Sequence, residues 1–101
     1  MAEPRNLRLI ASLYCRPYAT DAKAFIDEAH PSGQRHLIVR YRGNRPEFAA
    51  GIPDEWAEND VLDLIFWPIK NQGAPYPAWE VPARAFGSAT LFAWWKGEKP
   101  R

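Results

Sequence analysis

Thr20-Asp21-Ala22-Lys23-Ala24-Phe25-Ile26-Asp27-Glu28-Ala29-His30 reads as the principal helix of the chain. Ala22, Phe25, Ile26 and Ala29 fall at i, i+3, i+4 and i+7, one face of a 3.6-residue period. Thr20 is a suitable N-cap, and Asp21 and His30 suit the positive and negative ends of the helix dipole. Pro31 and Gly33 then stop the helix. The expectation is one main helix over about 20–30.

On either side of it the period changes to two. Asn6 to Arg16 reads as a strand, with Leu7, Leu9, Ala11, Leu13 and Cys15 on one face and Arg8, Ile10, Ser12, Tyr14 and Arg16 on the other. Gln34 to Arg42 reads as a second strand. Leu37, Val39 and Tyr41 face one way, and His36, Ile38, Arg40 and Arg42 the other. Gly43-Asn44-Arg45-Pro46 is a turn, and Glu47 to Ile52 completes a hairpin.

Two assignments fit the middle of the chain. Asp54 can cap a short helix at about 54–60, followed by a strand over 61–67, since Val61, Ile65, Phe66 and Trp67 favour strands and Pro68 limits a helix. Alternatively, Ala57, Val61, Leu64 and Ile65 fit one helix over 54–66. Asn71 to Pro77 is a loop. Residues 78–86 read as an edge strand, with Pro82 removing a donor, and 89–96 as the last strand. The expected fold is α+β, a mostly antiparallel sheet of five to six strands with one main helix on one face. A curled, half-open barrel is the alternative.

The 101 residues are enough for one domain, 1–101, and for one modest core. Residues 1–5 and 97–101 are expected to be flexible tails. Cys15 is the sole cysteine, which rules out an intrachain disulfide and suits a reducing compartment; its neighbours suggest a small buried side chain. There is no basic region followed by an apolar run and no span of ~18 apolar residues, so a cytoplasmic, non-membrane protein is expected. The Ala and Arg bias is common in proteins of GC-rich bacteria and their phages.

Net charge is +1, but it is unevenly placed. Residues 1–45 carry +4, 46–80 carry −6, and 81–101 carry +3. No metal-ligand spacing joins His30, His36 and Cys15. Ser88 lacks a nucleophile-elbow motif, no glycine-rich loop opens a helix, and Asp60 and Asp63 are better read as turn and solvated acids than as a catalytic pair. No catalytic residue, metal or cofactor is therefore assigned, and the chain is not expected to be an enzyme.

The remaining signal is aromatic. Phe66-Trp67 and Trp94-Trp95, if on strands, each place one large ring on each side of a sheet. With only one helix as cover, one side needs a partner. Trp, Tyr and Arg are the usual anchors of protein interfaces. The expected function is a small non-catalytic binding module of the accessory or inhibitor type. It would modulate a larger protein through Trp67, Trp79, Trp94 and Trp95, with Arg40, Arg42 and Arg45 at the rim. One alternative is a single-stranded nucleic-acid binder using Arg35 to Arg45 and sheet aromatics; another is a homo-oligomer, such as a homodimer, that buries the same tryptophans.

Overall fold

The computed structural model describes residues 7–15, 20–80 and Phe92, and among them four strands and one helix. Strands β1 (Leu7–Cys15), β2 (Thr20–Asp27), β3 (His36–Tyr41) and β4 (Phe48–Gly51) form an antiparallel meander in the order β1-β2-β3-β4. Helix α1 (Glu58–Gln72) follows. The α+β, antiparallel character matches the expectation, with four strands rather than five or six among the described residues. No helix among them is long and apolar enough to cross a membrane.

The main correction falls on residues 20–30, which form a strand and a turn instead of a helix. The segment also alternates with period two, and the sheet selects that pattern. Ala22, Ala24 and Ile26 point to the core at 0–1% exposure, while Lys23 and Phe25 point the other way. As a strand the segment pairs on both sides, with β1 and β3, and so satisfies backbone groups along both edges. Asp27 ends it: its Oδ1 accepts the Ala29 N–H at 3.1 Å, an Asx-type turn that competes with helix formation. Gly33, at φ 86°, closes the following turn by donating its N–H to His30 O at 2.9 Å.

β1 matches its expected span, but its faces are divided by a bulge. The register slips between Leu9, opposite Phe25, and Ala11, opposite Ala24. The extra residue reverses the alternation. Ile10, Ala11 and Leu13 pack on the core, whereas Leu9, expected on that same face, is 52% exposed. β3 follows its alternation throughout.

The helix forms further along the chain than expected. Residues 61–67, read as a strand in one assignment, lie inside α1, and neither a helix at 54–60 nor one at 54–66 has the right bounds. Val61, Leu64, Ile65 and Pro68 are its buried face at i, i+3, i+4 and i+7. Val61, Leu64 and Ile65 join one core cluster with Ala22, Ala24, Ile26, Leu37, Val39 and Ala50, and each aliphatic side chain so buried contributes roughly 1.5–3 kcal/mol. Pro68 cannot donate the amide that would bond Leu64 O, yet the helix runs on past it to Gln72. Ile65 O accepts the Ala78 N–H at 2.9 Å, and Pro68 O accepts the amides of Ala74, at 3.1 Å, and of Gly73. Gly73, at φ 63°, is the left-handed cap.

The N-terminus of α1 has only half of a capping box. Asp60 Oδ2 accepts the Ala57 N–H at 2.9 Å, but Ala57, in extended backbone, has no side-chain acceptor to return. Ala57→Ser is expected to raise stability by about 1 kcal/mol, measured by urea unfolding; Asp60→Ala is expected to lower it by a similar amount.

The expected strand over 78–86 is not formed in its described part, because Ala78–Glu80 turn back onto α1. Phe92 has helical backbone and packs edge-on to Trp56, with ring centroids 5.1 Å apart. Trp94, Trp95, the side chain of Cys15, both expected tails and the rest of 81–101 lie outside the described residues.

Candidate functional site

The sheet has two faces with different chemistry. One faces α1 and carries the core. The registers place four cross-strand rows on the other. Tyr14, Asp21 and Arg42 form the first row, where the Arg42 N–H donates to Asp21 O at 2.9 Å. Ser12, Lys23 and Arg40 form the second, and Glu47 joins it through an ion pair with Arg40 at 2.7 Å. Leu9, Phe25, Ile38 and Ala49 form an apolar third row. Leu7, Asp27, His36 and Gly51 form the fourth.

Tyr14 and Leu9, at 53% and 52% exposure, are the exposed large hydrophobic side chains among the described residues. Both lie on this outer face, on β1. A groove of about 440 Å³ runs beside them, lined by Asp21, Lys23, Phe25, Arg40, Tyr41 and Arg42. Arg40 also lies over the Phe25 ring, 5.9 Å from its centroid. The surface thus combines cations, one aromatic floor and an apolar row.

The residues expected to act as a site are divided by the fold. Trp79 is core, at 1% exposure, and its indole N–H has no hydrogen-bond partner among the described residues. Trp67 is half-buried on α1, where adjacent residues do not take opposite sides as in a strand. The two-sided argument for Phe66-Trp67 therefore fails. Arg40 and Arg42 share the outer face. Arg42 is the more exposed, with Asp21 Oδ2 at 3.7 Å.

Arg45 belongs elsewhere, in a cluster that no motif announced. Glu80 is fully buried. Arg45 Nη2 donates to its Oε1 at 2.6 Å and Tyr41 Oη to its Oε2 at 3.0 Å. The Arg45 guanidinium also covers the Tyr41 ring at 4.0 Å. Both carboxylate oxygens are thus engaged, and the cluster ties the end of β3 and the β3–β4 turn to the segment after α1. Arg35 is similarly committed, its Nη2 donating to Trp56 O at 2.6 Å and Pro53 O at 3.3 Å. Arg35, Arg40, Arg42 and Arg45 therefore do not converge on one strip.

Two further features are local. Arg8 bridges Glu28, at 2.6 Å, and Glu58, and these two carboxylates hold its pKa above the usual arginine value, Glu28 contributing most. The His30 and His36 rings stack 3.6 Å apart at 13°. His36 Nδ1 donates to Gln34 O at 2.9 Å, while His30 Nδ1 accepts the Ser32 N–H at 3.1 Å. Parallel stacked rings direct their lone pairs side by side, a poor arrangement for converging on one ion. Among the described residues no three His, Cys, Asp or Glu side chains cluster as metal ligands. Asp60 and Asp63 are both exposed on α1.

Sequence reasoning missed Leu9, Lys23 and Phe25 as outer-face residues. Lys23-Ala24-Phe25-Ile26 contained the signal, as a polar-apolar alternation overlaid on a helical period. Comparison with protein-family models, curated proteins and solved structures finds no match to this chain.

Proposed function

We propose that this chain is a non-catalytic binding module that modulates a larger protein through the outer face of its sheet. Leu9 and Tyr14 carry the reading: both are exposed, both lie on the face away from α1, and both pair across β1–β2 with residues that line a groove bearing cations. Interfaces commonly join an apolar centre to a polar or charged rim. This reading takes Leu9, Tyr14 and Phe25 as anchors in place of Trp67 and Trp79, which lie on α1 and in the core, and keeps Arg40 and Arg42 as rim residues; Trp94 and Trp95 lie outside the described residues. The nucleic-acid alternative loses support because Arg35 and Arg45 are engaged away from this face.

The test is affinity capture from a lysate of the source cells with the wild-type chain and with Tyr14→Ser. The variant should melt within a few degrees of wild type, since Tyr14 is exposed, and should lose the wild-type partner. Equal capture by both would overturn the reading. So would a stable dimer in sedimentation that buries Tyr14.

A further inference from the structure

Lys23 and Arg40 stand directly opposite each other on antiparallel β2 and β3. Like charges in that position repel and destabilise the pair. Glu47 offsets Arg40 at 2.7 Å. No carboxylate lies within ion-pair distance of Lys23 among the described residues. The outer face thus carries an ammonium beside a guanidinium, next to an apolar row in which Leu9 is exposed and Phe25 half-buried at the β1–β2 end, while Ile38 on β3 is fully buried.

We infer that Lys23 and this row form a docking site for an extended acidic segment of a partner protein. A carboxylate seats at Lys23 beside the Ser12 hydroxyl, and an apolar side chain of the segment lies on Leu9 and Phe25. The spacing sets the pattern. The two rows lie two residues apart along β2, about 6.5–7 Å, which is also the distance between side chains i and i+2 of an extended chain on one face. The segment recognised therefore carries an acidic and an apolar residue two positions apart, in either order. This deepens the binding role proposed above and rests on it.

The same surface suits a nucleic-acid strand less well. Asp21 and Glu47 interrupt the cations, so no continuous track follows a phosphate backbone. The face offers bases two rings, Tyr14 and Phe25, but the Lys23 row separates them, about 13 Å along β2, too far for the successive stacking of single-strand binders.

The test is an amide-shift titration of the full chain with three probes. These are a capped peptide with glutamate and leucine two positions apart, the same peptide with lysine for glutamate, and a short single-stranded oligothymidylate. The glutamate peptide should shift Lys23, Phe25 and Arg40 saturably, and the lysine peptide should not. Lys23→Glu should weaken the glutamate peptide about tenfold or more. It should melt at the same temperature as wild type or higher, because it places an opposite charge across from Arg40. Lys23→Gln, neutral at the same position, should weaken the peptide to a smaller degree.

An equal response to both peptides, or unchanged affinity in Lys23→Glu, would overturn the inference. Oligothymidylate binding at these residues with a steep salt dependence would overturn it in favour of nucleic acid. Failure with the glutamate peptide, together with a protein partner lost on Tyr14→Ser, would overturn the acidic-segment inference and leave the sheet-face role standing.

Discussion

Trp79→Ala is expected to lower stability by about 3–5 kcal/mol, the cost of removing a large buried aromatic and leaving a cavity that closes only partly. Trp79 is 1% exposed and belongs to the cluster formed with α1 and the sheet. Its segment is also tied to the helix through the Ala78 N–H to Ile65 O bond, so the backbone has little freedom to collapse into the space. For a domain whose total stability is of the order of 5–15 kcal/mol, this is a large fraction. Trp79→Phe is a useful companion. It keeps most of the ring volume and removes an indole N–H that has no acceptor among the described residues, so its cost should be well below that of alanine. Urea unfolding of the three proteins checks both. A Trp79→Ala chain as stable as wild type would mean that this tryptophan is not the core residue described.

Glu80→Ala should follow at about 2–4 kcal/mol. Removing one member of a buried ion pair leaves the other without compensation, a cost that commonly reaches 3–5 kcal/mol. Here Arg45 keeps 30% side-chain exposure, so water recovers part of it. The Tyr41 hydroxyl loses its acceptor at the same time. Tyr41→Phe in the Glu80→Ala background separates the two contributions: if both act through the one carboxylate, the double variant should be no less stable than Glu80→Ala alone. Additive losses in a double-mutant cycle would contradict that coupling.

Much of the sheet was legible because β3 alternates without interruption from His36 to Tyr41, and because Gly43-Asn44-Arg45-Pro46 marks its hairpin with turn residues. β1 was legible in extent and only partly in facing. A bulge adds one residue without any residue type that announces it, and everything on one side of Ile10 changes face. The helical reading of residues 20–30 failed because Ala22, Phe25, Ile26 and Ala29 satisfy a helical period by coincidence. Alanine also favours helices intrinsically. What settles the segment is non-local: β1 and β3 both need a neighbour, and Ala22, Ala24 and Ile26 offer a flush surface for α1. The reverse happened at 61–67. β-branched and aromatic residues there favour strand locally, yet Val61, Leu64 and Ile65 gain more by covering the sheet as one helical stripe, which outweighs the single helical bond that Pro68 cannot donate.

The site was less legible for the same reason. Lys23 and Phe25 can reach the outer face only if β2 is a strand, and the register of β2 against β3 is what sets Lys23 opposite Arg40. Arg40 and Arg42 were visible as a shared face on β3. That Arg45 turns instead to Glu80 depends on a residue 35 positions away, and no spacing in the sequence connects them.

Residues 20–27 therefore carry both the fold and the proposed role, and interproton contacts in solution test them most directly. The account predicts cross-strand α-proton contacts within the pairs Ala22 with Tyr41 or Ala24 with Val39, together with contacts from the Phe25 ring to the Ile38 side chain across the outer face. An unbroken run of amide-to-amide contacts between neighbouring residues from Asp21 to Ala29, with none to β3, would mark a helix there and contradict the account.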